Sequence, residues 1–151
     1  SQGGAQGAAV YVLSDEASDT ATAHLAERHN RADVLAGMDL TASDDQVTRV
    51  LLDIARRETE PRSEALALAL VAGMTNAGGP MNRRPLRQAG FAVLKSADIP
   101  SVLVEVGFLS SKRDLENLRD PAWRSGIVSG MAEAIFDWHA QDRQRQALVR
   151  Q

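Results

Sequence analysis

The chain has 151 residues, of which 44% are hydrophobic and 25% charged, a composition typical of one globular domain. Its net charge of −3 gives no electrostatic case for nucleic acid or an anionic membrane as the main partner. No apolar stretch approaches the roughly 20 residues of a membrane span, and the lack of cysteine excludes disulfides and a Cys-ligated zinc site. The start, SQGGAQGAAV, has neither an initiator Met nor a signal-peptide pattern, so we expect a piece of a longer protein.

The first half of the chain predicts one strand and then three helices. These are expected at residues 7–14, 18–30, 43–58 and 62–74. Ser43 and Gln46 form a capping-box signature at the start of the second helix. Pro61 is expected to interrupt the helical pattern, because proline inside a helix removes a backbone hydrogen bond.

The second half predicts two more strands and two more helices. These are expected at residues 91–95, 101–106, 111–119 and from Pro121 onward. The basic stretch 83–90 is interpreted as a connection, and Ser110 or Ser111 as the cap of the short helix. The last helix is expected to bury an apolar stripe formed by Trp123, Ile127, Met131, Ile135 and Trp138.

These elements together predict an α/β fold. The strands are continuously apolar, which is typical of parallel strands that helices cover on both faces. We therefore expect a three-layer arrangement around a mostly parallel, twisted sheet. Three strands are few for such a sheet, so its N-terminal strands are expected to lie upstream of this chain. The polar residues 140–151 are expected to fray.

One acidic residue, Glu105, lies inside the apolar run IPSVLVEVGF. It comes near the carboxyl end of its predicted strand, and ligands bind at that edge of open α/β sheets. A half-buried carboxylate there suits general acid/base catalysis. The alternative is a structural carboxylate paired with a nearby base. The basic residues available for such a pair are Arg83, Arg84, Arg87 and Lys95.

The three histidines do not have the spacing of a zinc site. His24 and His29 are five residues apart, whereas two helical zinc ligands are typically four apart, as in H-E-x-x-H. His139 lies at the end of the last predicted helix. We expect all three to be surface or cap residues rather than metal ligands.

The block RQAGFAVLKSADIPSVLVEVGFLSSKRDLENL, residues 87–118, resembles the zinc-dependent N-acetylmuramoyl-L-alanine amidases, the peptidoglycan amidases that separate daughter cells. It combines Q-A-x-F-x-V-L-K, a turn ending I-P-S, and V-L-V-E-x-G-F-L-S. The likeness extends over nearly the whole chain, through GAAVYVLS, AERHNRADVLAG and LLDIARRETEPRSEALA. It implies that residues 1–139 are the C-terminal part of an amidase catalytic domain and that 140–151 are a tail.

The resemblance implies a role for Glu105. In this family the glutamate of V-E-x-G-F is the catalytic acid beside the zinc, and Glu105 holds that position. It would take a proton from zinc-bound water and pass one to the departing amine while the bond between N-acetylmuramic acid and L-alanine is cut. The family's zinc-ligand motifs, D-x-G-H-G and S-x-H-A-D, are missing here. We expect the ligands upstream of Ser1, and the chain alone to bind no zinc and to be inactive.

The resemblance also implies regulation through residues 39–60. The branch of the family controlled by LytM-type activators has a helix here that blocks the active site until the activator binds. Glu58 would then be an inhibitory metal ligand. The alternative is an ordinary packed helix with a solvated, charged end.

These implications describe an exported enzyme of a Gram-negative periplasm, acting in cell division. The alternative function is a non-catalytic module that binds a divisome activator. A sheet without its upstream strands would also present an unpaired edge, so we expect the chain to associate through it.

Overall fold

A computed structural model describes residues 5–35 and 46–149. Its strands are β1 (Ala8–Leu13), β2 (Met81–Ala89) and β3 (Leu103–Glu105). Its helices are α1 (Thr20–Leu35), α2 (Gln46–Asn76), α3 (Lys112–Arg119) and α4 (Pro121–Val149). The three strands form one small sheet in the order β2-β1-β3, with helices around it, so the predicted α/β class is confirmed.

Strands β1 and β2 run parallel. The backbone N–H of Ala8 donates to Pro80 O at one end of the pair, and the N–H of Ser14 donates to Ala89 O at the other. Residue numbers therefore rise in the same direction along both strands. The three-layer arrangement and the further strands expected upstream stay predictions.

Helix α2 is one continuous helix where the sequence predicted two. Pro61 lies inside it, so the predicted interruption is wrong. The hydrogen bond that proline removes is the one to the carbonyl four residues back, at Arg57. Arg57 is exposed, so water can hydrate that carbonyl, while the buried face of the helix continues through Leu66 and Leu70. Ser43, the predicted cap, lies outside the described residues.

Strand β2 occupies the basic stretch that was predicted to be a connection. It lies at one edge of the sheet, the position in which a strand tolerates a proline such as Pro85. Arg83 and Arg84 are exposed on it. Proline and charged side chains on an edge strand hinder pairing with a further chain. The association predicted for the chain is therefore less favourable at this edge than at the short strand β3.

The strand predicted at 91–95 is wrong. Residues Ala92–Leu94 form a 3₁₀ turn. Phe91 and Leu94 are buried, at 0% and 6% exposure. This stretch is apolar because two of its side chains are buried in a turn. A short apolar run in the sequence is equally compatible with a buried strand, so the pattern alone could not decide between the two.

The chain divides into two compact units, each with its own buried residues. The first comprises Ser1–Val10, Ala65–Leu86 and Val104–Gln151. Its buried hydrophobic residues are Ala8, Ala9, Val10, Leu66, Ala67, Leu70, Met74 and Ile127. The second comprises Tyr11–Glu64 and Arg87–Leu103. Here the rings of Tyr11 and Phe91 pack edge to face, with centroids 5.4 Å apart.

Helix α4 extends further than the sequence predicted. Residues 140–149, expected to fray, are helical. Asp142 is only 5% exposed and accepts a hydrogen bond from Gln146 at 3.3 Å, an i,i+4 pair that supports the helix. The predicted apolar stripe is only partly buried, since Ile127 is 4% exposed but Ile135 is 42% exposed. Among the described residues, no helix is long and apolar enough to cross a membrane.

Candidate active site

Glu105 is the last residue of β3 and is half-buried. The structure therefore places it at the carboxyl end of a strand, as predicted, although the strand has three residues rather than the six expected. A loop over residues 106–111 follows and leads into α3. The hydrogen bonds of this loop determine how strongly the end of β3 is fixed in position.

A buried carboxylate, Asp114, fastens the loop that follows Glu105. The residue is 2% exposed. Its Oδ2 accepts the backbone N–H of Phe108 at 3.1 Å and that of Gly7 at 2.7 Å. Its Oδ1 accepts from Nε and Nη2 of Arg113, at 3.2 and 3.1 Å. One side chain thus joins the loop after Glu105 to the residue that precedes β1.

The charge of Asp114 is stabilised by these partners. Burial alone would raise the pKa of this carboxyl group, but the N–H groups of Gly7 and Phe108 and the guanidinium of Arg113 outweigh it. The pKa therefore lies below its ordinary value of 3.8. At neutral pH Asp114 is an ionised acceptor, whose hydrogen bonds are stronger than those of a neutral group.

Two glycines allow the backbone to approach this carboxylate. Gly7 has a φ of +78°, and a Cβ there would lie 2.6 Å from the backbone of Met81. A Cβ on Gly107 would lie 3.1 Å from the Cβ of Asp114, closer than an ordinary contact. Close packing therefore explains why the V-E-V-G-F motif has a glycine at position 107, because a side chain there would press on Asp114.

The sequence analysis did not single out Asp114, although a signal was present. Ser111 and Asp114 have the spacing of a capping box. Only half of the box forms: Ser111 Oγ accepts the N–H of Asp114 at 3.3 Å, while the N–H of Ser111 donates to Phe108 O at 3.0 Å. The Asp114 carboxylate can therefore accept the N–H groups of Gly7 and Phe108 instead of that of Ser111. Of the two predicted caps, Ser111 is the one that caps α3.

The turn that leads into β3 is held by hydroxyl groups of α2, which the sequence analysis also missed. Thr59 Oγ1 donates to Ala97 O at 2.8 Å. Ser63 Oγ accepts the N–H of Ser101 at 3.0 Å and lies 3.2 Å from Thr59 O. Thr59 and Ser63 are 6% and 9% exposed. Their four-residue spacing places both on one face of the helix, which was the available signal.

Glu58 lies on α2 and is exposed, directly before the buried Thr59. In the part of the chain that the structure describes, no three His, Asp or Glu side chains come together in an arrangement that could hold a metal ion. These residues by themselves therefore do not fit a zinc site. The role of Glu58 as an inhibitory ligand stays a prediction.

The three histidines lie in different surroundings. His24 has a side chain 72% exposed and lies 3.7 Å from a carboxylate oxygen of Glu27. The ring of His29 packs edge-on against Phe91, with centroids 6.0 Å apart. His139 is exposed on α4. His24 and His139 are therefore surface residues, and His29 packs against an aromatic ring.

The sequence of this chain matches a known protein family over residues 1–137, and the model of that family describes N-acetylmuramoyl-L-alanine amidases. The chain belongs to this amidase family. The match covers β1 to β3, the Glu105 loop and most of α4. The family resemblance seen in the sequence is thereby confirmed.

Curated amidases are similar to this chain over most of its length. N-acetylmuramoyl-L-alanine amidase AmiA of Escherichia coli K12 is 34% identical over 143 residues, which are 93% of this chain and 49% of that protein. AmiA of Salmonella typhimurium is 35% identical with the same coverage. AmiC of Escherichia coli O6:H1 is 30% identical, over 89% of this chain and 32% of that protein. The chain spans about half the length of the AmiA relatives or a third of AmiC.

Proposed function

We propose that this chain is part of a peptidoglycan amidase in which Glu105 is the catalytic acid/base. The reaction is hydrolysis of the amide bond between N-acetylmuramic acid and the L-alanine of the stem peptide. The observation that carries the proposal is a half-buried carboxylate at a strand end, within V-E-V-G-F, in a chain of the amidase family. The relatives support the same chemistry, because AmiA and AmiC are named N-acetylmuramoyl-L-alanine amidases.

The task of Glu105 is proton transfer. Amide hydrolysis requires a group that takes a proton from the attacking water and then gives one to the leaving amine. A carboxylate performs both steps when it is held within hydrogen-bond reach of the reacting atoms. Glu105 is the last residue of a strand and precedes an anchored loop, and such fixed surroundings favour a constant geometry.

Zinc dependence is part of the same proposal and rests on the resemblance. Among the described residues, no three His, Asp or Glu side chains lie close enough together to hold a metal ion. In this proposal the resemblance gives Glu105 a proton-transfer role and no ligand role. Ligands for zinc are expected from parts of the whole protein outside the described residues.

The proposed setting is peptidoglycan in the periplasm during cell separation, with a LytM-type activator as partner. Residues 39–60 are the proposed regulatory segment, of which 46–60 are the first turns of α2. These turns expose three large apolar side chains: Val50, Leu51 and Ile54, at 54%, 62% and 59%. A protein partner that covered them would remove this apolar area from water.

The proposal is tested by Glu105→Gln in the whole protein that contains this chain. Release of dye from labelled sacculi should fall by roughly 10²- to 10⁴-fold, which is the usual contribution of a positioned acid/base. Mass spectrometry of the wild-type digest should show stem peptides with a free L-alanine amino group. Glu116→Gln, an exposed carboxylate on α3, is the matched control and should keep the wild-type rate. An unchanged rate in Glu105→Gln would make Glu105 a structural residue.

A second function, a non-catalytic module that binds an activator, is favoured by the exposed apolar side chains at the start of α2. It predicts that the folded whole protein binds a LytM domain but releases no stem peptides. Binding together with cleavage would favour the amidase. The same digest therefore distinguishes the two functions.

A further inference from the structure

We propose that Asp114 is the positioning residue of the site: it fixes the loop directly after Glu105 and so holds the Glu105 carboxylate in its working orientation. This inference rests on the proposed function for its catalytic meaning. Its structural basis is independent of that function.

The first step of the argument is the position of the anchored atom. Phe108 is three residues after Glu105, and its N–H donates to Asp114 Oδ2 at 3.1 Å. Its carbonyl accepts the N–H of Ser111 at 3.0 Å. Both polar backbone groups of Phe108 are thus fixed, so the segment between Glu105 and α3 has little freedom at this point.

The second step is the position of the other anchor. The same oxygen of Asp114 accepts the N–H of Gly7 at 2.7 Å, across 107 positions of sequence. Gly7 also lies close to the start of β2, since a Cβ there would be only 2.6 Å from the backbone of Met81. The loop is therefore tied to the start of the sheet rather than only to its own helix.

The third step concerns the cost of replacing this carboxylate. Asp114 is 2% exposed, whereas Arg113, which pairs with its second oxygen, has a side chain 49% exposed. Loss of the carboxylate would leave the Arg113 charge in contact with water. The N–H groups of Phe108 and Gly7 would instead lose a buried, ionised acceptor. The effect should therefore concentrate on the loop and on Gly7.

The test uses the 151-residue chain first. Amide hydrogen exchange should become about 10- to 100-fold faster at Phe108 and Gly7 in Asp114→Ala, since a hydrogen bond to a charged acceptor is lost. Asp114→Asn keeps one carbonyl acceptor of the same shape and should give a smaller increase. The ¹³C resonance of the Glu105 carboxyl group should move in both variants. Glu116→Ala, on the same helix, should change none of these signals.

The second measurement is kinetic and uses the whole protein. Asp114→Ala should lower kcat about 10- to 100-fold per folded molecule with KM within about twofold, the pattern of a misplaced catalytic group. Asp114→Asn should recover part of kcat. A purely structural role would reduce the folded fraction and leave kcat per folded molecule unchanged.

Two structural outcomes would each overturn the inference: an unmoved Glu105 resonance in both variants, or unchanged exchange at Phe108. A kcat per folded molecule equal to that of the wild type would also overturn it. If the wild-type protein cleaves no peptidoglycan, the proposed function fails. The exchange and resonance measurements then still decide whether Asp114 orients Glu105, because neither requires activity.

Discussion

The two ends of the strand that carries Glu105 are held by different chemistry. Before the strand, neutral hydroxyls of Thr59 and Ser63 bind the backbone of residues 97 and 101. After the strand, the ionised carboxylate of Asp114 binds the backbone of Phe108 and Gly7. The first contact comes from a long helix and the second from the first turn of a short one.

This difference predicts which end of the strand is more sensitive to mutation and to pH. A hydrogen bond between neutral groups contributes about 1 kcal/mol to stability, whereas one to a charged group contributes roughly 1.5–3 kcal/mol. Only the second kind depends on a titrating group. The end after Glu105 should therefore be the more costly to damage and the only one of the two that acid weakens.

The largest expected effect is that of Asp114→Ala on stability. It removes the acceptor of two backbone N–H groups, so the free energy of unfolding should fall by about 3 kcal/mol. Urea denaturation of the 151-residue chain, followed by circular dichroism, measures this value. Glu116→Ala should stay within about 0.5 kcal/mol of the wild type. If Asp114→Ala lowered stability no more than Ser63→Ala does, the end after Glu105 would not be the more costly one to damage.

The next effect is the acid dependence of stability. The pKa of Asp114 is lowered in the folded chain, because the N–H groups of Gly7 and Phe108 and the charge of Arg113 outweigh the opposing effect of burial. Its stabilising contribution is therefore complete above the ordinary pKa of 3.8 that the group has in the unfolded chain, and it is lost as pH falls through the lower folded-state pKa. In that interval, stability should drop by at most about 1.4 kcal/mol per pH unit on account of this group.

Denaturation at a series of pH values between neutrality and strong acid checks this dependence. Asp114→Asn should flatten the acid part of the curve, and Ser63→Ala should shift the whole curve without changing its slope there. An equal acid slope in wild type and Asp114→Asn would show that other carboxylates account for acid lability.

Much of this site could be predicted from the sequence, and the reason is local. Glu105 is an acid inside an apolar run before a glycine, and strand-end placement follows from that pattern alone. The α3 cap also follows from neighbouring residues, since Ser111 and Asp114 are only three positions apart. Local patterns of this kind need no knowledge of the rest of the chain.

The missed features depend on contacts between distant residues. Asp114 meets Gly7 across 107 positions, and Ser63 meets Ser101 across 38. Local spacing can mark Ser63 and Asp114 as candidates, but it does not identify the distant residues with which they pair. The same limit explains the wrong strand at 91–95 and the missed strand β2, because tertiary burial of Phe91 and the edge position of Pro85 decided both.

A smaller effect is expected from Ser63→Ala. The substitution removes the acceptor of the Ser101 N–H and one contact with Thr59 O, both between neutral groups. The free energy of unfolding should fall by about 1 kcal/mol. Urea denaturation measures the loss, and hydrogen exchange at Ser101 locates it. Because alanine keeps the helix, a much larger loss would mean that the turn before β3 depends on this contact more than on the others.

The smallest effect on stability is expected from Glu58→Ala. Glu58 is exposed on α2, so the free energy of unfolding should change by no more than about 0.5 kcal/mol. Under the proposed function the same substitution should modestly raise the basal rate of sacculus cleavage by the whole protein, because an inhibitory carboxylate is removed. A point substitution is cleaner than deletion of residues 39–60, which would also remove Thr59 and its bond to Ala97. Glu60→Ala, a second exposed carboxylate two positions along the helix, is the matched control. Equal rates in the two variants would mean that this end of α2 is an ordinary packed helix with no inhibitory role. The anchoring of the two ends of β3 does not depend on that result.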